Sequence, residues 1–273
     1  MTKTKIPYLD YVWNITKGCS PKSSGCKNCY AKKMAPRLAS NNIECYDKKE
    51  PFKPVFCRGK INDPCNIKKP SVIGVSFMGD LFHDEIHEDV IIDVLTVIRS
   101  CKQHKFVLCT KRPERMYYAL ERFIKLYPKE EIDNAWFGIS FEDCDSIEQH
   151  DRGYWINQLY KDLGVHTWMS IEPLLEDISP YIKKYCNYID VIVCGGETGV
   201  GARYCKPSWI ADIYYLCQNY HIPFYFKSWG KNKKNLSVPG TIEELLFLSG
   251  SIISNKSEIE TTKELPWANE DTL

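Results

Sequence analysis

Residues 190–198 read DVIVCGGET: an unbroken apolar run that stops at two glycines, a carboxylate and a hydroxyl. A β-branched run without alternation is the pattern of a strand buried on both faces, as in a parallel sheet. The polar residues that end it then lie where parallel α/β folds bind ligands, at the C-terminal ends of the strands. Working outward, six further runs fit the same description: YVWNI (11–15), VIGVSF (72–77), KFVLC (105–109), AWFGIS (135–140), HTWMSI (166–171) and PFYFK (223–227). Helix-like stretches alternate with them at about 30–39, 87–103, 113–127, 146–163, 176–186 and 207–220. Pro113 and Pro207 suit first-turn helix positions, with Ser208 or Asp145 near helix starts. Repeated βα units of this kind predict an α/β fold, a (β/α) TIM-like barrel that is closed or partly open.

The barrel is expected to span residues 1–230, interrupted at about 40–70 by an Asn-, Lys-, Pro- and Gly-rich insertion carrying a small hairpin. Residues 231–273, which begin KNKKN after Gly230, read as a C-terminal extension packed on the barrel. With 36 basic and 35 acidic residues the chain has no overall field to drive nonspecific nucleic-acid binding, although a local basic groove is compatible with these totals. No run approaches the roughly 18 apolar residues of a membrane span, and the N-terminus lacks a secretory apolar core, so a soluble cytoplasmic protein is expected.

Each strand delivers polar groups to one rim: Asn14 and a three-cysteine loop after the first, Asp80 and His83 after the second, Lys111 and Arg112 after the third, then Ser140 and Glu142, Ser170 and Glu172, Gly195, Gly196 and Glu197, and finally Lys227. Burying unpaired charge is costly, so seven strands in phase imply a ligand-filled mouth. Lys111 and Arg112, beside a helix N-terminus, form a candidate anion site for substrate; the alternative is an ion pair with Glu114. His83 is a candidate proton donor, and Lys227 a catalytic ammonium pointing into the mouth or a partner for a rim glutamate.

After the first strand comes GCSPKSSGCKNCY (18–30), a C-x6-C-x2-C spacing. Soft thiolates so close together select zinc or an iron-sulfur cluster. A structural zinc site needs a fourth ligand, for which Cys45, Cys57, Cys65 and His83 are the next candidates. A cluster held by three cysteines leaves one iron open, able to bind S-adenosylmethionine and cleave it reductively. Cys101, Cys109, Cys186, Cys194 and Cys217 sit in apolar runs and read as small buried hydrophobes.

The blocks WNITKGCSPKSSGCKNCYA, MGDLFHD, LCTKRPERM, WFGISFED, SIEPL, GGETGVGARYCKPSW and PFYFKSWG, in this order over about residues 11–230, resemble the three-Cys-motif phage proteins, which are similar to divergent radical S-adenosylmethionine barrels. The resemblance implies a [4Fe-4S] cluster on Cys19, Cys26 and Cys29. S-adenosylmethionine would then be held by rim groups among Asp80, Ser140, Glu142, Ser170, Glu172, Gly195, Gly196 and Glu197, with a flavodoxin or ferredoxin as reductant; the resemblance supplies no substrate, and a nucleotide or nucleic acid is expected from the phage association and the Lys111/Arg112 anion site. The common radical S-adenosylmethionine pattern has a shorter first gap and an aromatic residue where Asn28 stands; Tyr30 or Trp13 would serve instead. Its glycine-rich element also follows the second strand and not the sixth, which makes Asp80 a competitor of Glu197.

Overall fold

In the computed structural model, which describes residues 1–231 and 265–267, all seven expected runs are strands of one sheet. Two short strands near the N-terminus, β1 (Thr2–Lys3) and β2 (Tyr11–Trp13), pair antiparallel. From β2 onward every pairing is parallel, through β5 (Val72–Val75), β6 (Lys105–Thr110), β7 (Ala135–Ser140), β8 (His166–Ile171), β9 (Val191–Gly195) and β10 (Phe224–Ser228). The intervening β3 (Thr16–Lys17) and β4 (Val55–Phe56) form a separate antiparallel pair. The hairpin expected within the insertion is therefore replaced: the insertion sends its one strand back to the residues just before the cysteine loop.

The helices between the strands are α1 (Tyr30–Ser40), α2 (Glu88–Ser100), α3 (Pro113–Leu126), the pair α4 (Cys144–Glu148) and α5 (Arg152–Gln158), α6 (Ser179–Ile182) and α7 (Pro207–Tyr220). Pro113 and Pro207 open α3 and α7 as expected. The cap of α4 is Asp143, in a capping box with Ser146, and not Asp145.

The period-2 alternation hidden inside the apolar runs sorts the core into two layers. Phe106, Leu108, Phe137, Ile139, Met169, Ile192 and Phe224 pack outward against the helices. Val72, Val107, Trp136, Trp168, Val191 and Tyr225 point inward, where Leu265 and Trp267 join them. Along the inner face the side chains change from large and apolar to small and polar, ending at Ser140 opposite Ser170. The lumen thus has an aromatic floor and a polar mouth. Gly138 makes room for that floor: a Cβ there would lie 2.2 Å from the Trp168 indole, whose Nε1 donates to the Leu108 carbonyl at 2.7 Å.

The sheet does not close, and this corrects the closed-barrel form of the expectation. β1 covers the free edge of β2 in antiparallel sense, and β10 pairs with β9 alone among the described residues. The gap is bridged by side chains: Tyr8 meets Tyr225 edge-on at 5.5 Å between centroids and Trp267 at 6.4 Å. Such a wedge holds β2 and β10 beyond the roughly 4.8 Å spacing of a ladder. The expected extension over 231–273 lies outside the described residues except for Lys231 and 265–267. No helix among the described residues is long and apolar enough to cross a membrane.

Candidate functional site

The polar mouth opens into a cavity of about 450 Å³. One wall is the cysteine loop, with Cys19, Cys26 and Cys29; the other is made by the strand ends, with Asp80, Lys111, Arg112, Ser140, Ser170, Glu172, Gly196, Glu197 and Lys227. Of the residues expected at the rim, Glu142, Gly195 and His83 do not line it.

The loop is held on the mouth by three carboxylate-centred clamps, one for each part of it. At Cys19, Asp80 accepts from Thr110 Oγ1 at 2.8 Å and from Arg112 Nη1 at 3.1 Å. Arg112 spends its remaining donors on Cys19 Sγ at 3.4 Å, the carbonyl and hydroxyl of Ser20 at 3.3 and 2.8 Å, and Asp84 at 3.4 Å. A guanidinium so fully committed braces the loop and has no donor left for a substrate anion. Burial pushes the Cys19 thiol up to about 11, helped by Asp80 and opposed by Arg112.

At Cys26 the centre is Glu142, whose side chain is fully buried. It pairs with Lys111, accepts from Ser23 Oγ at 2.7 Å and accepts from Arg152 Nη1 at 2.6 Å. Arg152 also donates to the Ser140 carbonyl at 2.6 Å, while its Nε and Nη2 have no partner among the described residues. Burial alone would raise the Cys26 thiol, but the Lys111 ammonium and the backbone N–H groups of Lys22 and Ser23 outweigh it and bring it down. Burial lowers Lys111 and brings Arg152 down to about 10. The 3₁₀ turn Ser24–Cys26 carries this segment into α1, which begins one residue after Cys29.

At Asn28 the centre is Glu197. Its Oε2 accepts from the Asn28 amide at 2.9 Å and from the backbone N and Nε of Arg203 at 2.8 and 2.9 Å; Oε1 accepts from Arg203 Nη2 at 2.5 Å. Arg203 reaches on to the Ser24 carbonyl at 3.0 Å, and Asn28 to the Gly201 carbonyl at 2.9 Å. These bonds overcome burial and hold the Glu197 carboxyl at about 2, below its usual 4.5. A carboxyl whose folded value is depressed stabilises the fold fully above its unfolded value and loses that contribution as the pH falls through its folded value. The urea midpoint is therefore expected to fall between pH 4.5 and about 2, and Glu197→Gln to flatten that limb.

Several expectations change accordingly. His83 is buried behind the loop: its Nδ1 accepts from the Glu85 N–H at 3.1 Å, so Nε2 carries the proton and donates to Ser20 Oγ at 2.8 Å. Burial and the Arg112 charge lower its pKa. It supports the loop and does not reach the cavity. Gly195 ends β9 beneath the rim, and Gly196 is there for packing: a Cβ would lie 2.3 Å from the Trp229 carbonyl oxygen. Trp13 packs on the far side of the sheet against Phe106, leaving Tyr30 as the aromatic side chain at the loop. The supposed pairing of Lys111 and Arg112 with Glu114 is absent; their partners are Glu142, Asp80 and Asp84.

What remains turned toward the cavity is a smaller group. Glu172 pairs with Lys227 at 2.7 Å and accepts from Tyr8 Oη at 3.4 Å. Lys227 also stands 5.9 Å from the Tyr8 ring centroid. Ser140, Ser170, Thr198 and the thiol of Cys109 complete it. Cys109, expected in the core, faces the lumen, where burial pushes it up to about 12.

Among the described residues no three His, Cys, Asp or Glu converge as they would around one metal ion. The residues considered for a fourth zinc ligand are engaged elsewhere: Cys45 is joined to Cys57, Cys65 lies 3.0 Å from the Cys101 sulfur, and His83 binds Ser20. The donor set does fit a polynuclear cluster, whose thiolates each hold a different iron. Three thiols share one cavity wall, Cys26 Sγ accepts an N–H from Lys22 at 3.4 Å, and Lys111 and Arg152 supply cationic charge to balance thiolates.

Sequence reading missed Arg152 and Arg203. Arg203 was within reach, since GGETGVGAR places a cation six residues from a carboxylate in a glycine-rich loop. Arg152 lies in α5, in a stretch with no local signal of its partner.

Residues 3–264 match the family described as "Protein of unknown function (DUF5131)". No curated protein matches the chain. Among solved structures, a mutant of spore photoproduct lyase shares the fold with a TM-score of 0.55 at 8% identity, over 84% of this chain and 79% of that one. Spore photoproduct lyase complexed with dinucleoside spore photoproduct gives 0.53 at 9% identity, over 84% and 79%.

Proposed function

We propose, for a chain that belongs to the DUF5131 family, that it is an iron-sulfur enzyme of the radical S-adenosylmethionine type acting on a nucleotide or nucleic-acid substrate. The observation that carries the reading is the shared cavity: three thiols on one wall, strand C-terminal ends on the other, and a buried clamp for each part of the loop between them. The fold shared with spore photoproduct lyase supports a radical-S-adenosylmethionine-like relationship, and the dinucleoside bound to one such structure supports the substrate class. The resemblance to phage-associated proteins is compatible with it.

Cys19, Cys26 and Cys29 would hold the cluster, which when loaded and reduced supplies an electron to cleave S-adenosylmethionine. The chain's own residues do the rest. The clamps fix the loop, so its thiols are placed before any metal arrives. Glu172 and Lys227, paired at 2.7 Å, offer a carboxylate for an ammonium or ribose hydroxyl and an ammonium for a carboxylate. Tyr30 offers a ring face beside Cys29, and Trp168 closes the floor against water. An electron donor of the flavodoxin or ferredoxin class would be required.

Anaerobic reconstitution tests this directly. One [4Fe-4S] cluster per chain is expected by iron and sulfide analysis, with an electron paramagnetic resonance signal that changes when S-adenosylmethionine is added. Cys26→Ala should lose the iron while keeping the circular dichroism of the wild type, because the loop contributes no core residue. Tight zinc with no iron uptake would sink the proposal.

A further inference from the structure

The charge of this chain is unevenly placed. Residues 1–70 hold 15 Lys and Arg against 5 Asp and Glu, whereas the remainder holds 21 against 30. The near-zero total conceals a basic segment beside an acidic body. That segment comprises the cysteine loop, α1 and the insertion, and its backbone is tied to the mouth: Cys19 N donates to the Phe52 carbonyl at 3.1 Å and Cys57 N to the Ile15 carbonyl at 2.8 Å. Lys27, Lys32, Lys33, Arg37, Lys48 and Lys49 are exposed. Among the described residues none of them has a carboxylate within ion-pair distance, in contrast to Lys22, Lys53 and Lys60.

Lys33 Nζ donates to Asn28 Oδ1 at 3.1 Å and to the Val200 carbonyl at 2.7 Å, but like charges with no carboxylate to offset them still repel one another. Their complement is a polyanion. The neighbouring side chains say which kind, because Tyr30 and Phe52 of this segment line the cavity together with Phe77, which follows β5 and whose carbonyl accepts from Tyr30 Oη, and Tyr30 is 44% exposed. Cations that track a backbone, next to ring faces on which bases stack, are the composition of single-strand sites. A cavity of about 450 Å³ admits an unpaired nucleotide and excludes a duplex. We propose that α1 and the insertion form a binding surface for single-stranded nucleic acid, which delivers one unpaired base to Tyr30, Phe52 and Phe77 in the cavity. This rests on the cavity being the nucleotide-modifying site.

The test is fluorescence anisotropy of the full-length chain, as purified, with a labelled oligothymidylate over a range of salt. The logarithm of the dissociation constant should rise with that of salt with a slope of about 0.7 per phosphate contact. The reversal K32E/R37E/K48E/K49E should weaken binding at least tenfold and flatten the slope by about 3. Phe52→Ala keeps the carbonyl that holds Cys19 and should weaken binding about tenfold at an unchanged slope. Thermal melts of both variants should match the wild type. No binding at 50 mM salt, equal binding of the corresponding duplex, or indifference to the reversal would overturn the inference. So would a reversal that abolishes only electron transfer from flavodoxin, since the surface would then belong to an acidic protein. Binding needs no turnover, so a chain that takes up a cluster and ignores the oligonucleotide defeats this inference alone. A chain that binds the oligonucleotide and takes up no iron defeats only the enzymatic reading.

Discussion

Glu142→Ala is expected to destabilise the protein by about 3–5 kcal/mol, the usual cost of leaving a buried charge without its partner. For a chain of this size that lowers the thermal midpoint by about 6–20 °C. The expectation rests on two cations sharing one carboxylate. Arg152 has a side-chain exposure of 1% and leaves its Nε and Nη2 unpaired, so Glu142 and the Ser140 carbonyl are the acceptors it has among the described residues. Lys111 uses the other carboxylate oxygen, together with the Ser23 hydroxyl. Urea titration should show the loss as a lower midpoint at unchanged slope, because the surface exposed on unfolding is the same. Glu142→Gln keeps the shape and removes the charge, so it should recover little. Removing all three charges, in K111M/E142L/R152L, should recover much of the stability, since an apolar replacement of a whole buried ion cluster is often neutral. A triple variant no more stable than Glu142→Ala would show that packing around Glu142, and not charge, supplies the effect.

The sheet was legible in the sequence because a strand buried on both faces carries its signal in its own residues. VIVC, KFVLC and HTWMSI need no partner to be recognised, and each emerges as a strand within a residue of its expected bounds. Closure was not legible. Whether β2 and β10 meet is decided by Tyr8, Tyr225 and Trp267, which come from three distant parts of the chain and hold the edges at side-chain distance. The site divides in the same way. The C-x6-C-x2-C spacing marked the loop, and strand ends marked the rim, since both signals are local. The partners of the rim residues were not legible, because they lie far along the chain: Arg112 is 93 residues from the Cys19 it binds, and Glu197 169 from Asn28. A polar residue at a strand end is equally consistent with a ligand and with a clamp, and only the reach of the neighbouring side chains distinguishes them. Seven polar strand ends in phase therefore had two causes, a cavity and a loop that must be fixed over it.

Arg112 separates those two causes experimentally. Arg112→Ala should cost about 3–5 kcal/mol, because it strands the Asp80 carboxylate, which is 5% exposed. It should also free the loop, since the guanidinium supplies the bonds to Cys19 Sγ and to both oxygens of Ser20. Trypsin reports the second effect: Lys22 is exposed two residues beyond Ser20, and cleavage after it should accelerate when the loop opens locally. Two further variants divide the roles. Arg112→Lys keeps a cation near Asp80 but has no planar fork, so it should retain more global stability than Arg112→Ala while the loop is cut nearly as fast. In D80N/R112L neither charge remains, so the urea midpoint should recover relative to Arg112→Ala. The loop should still be cut quickly, because the Arg112 bonds to Cys19 and Ser20 are gone and Ser20 keeps only its bond from His83. If cleavage at Lys22 instead follows global stability across all three variants, Arg112 acts through the Asp80 pair alone. The loop would then owe its position to Glu142 and Glu197.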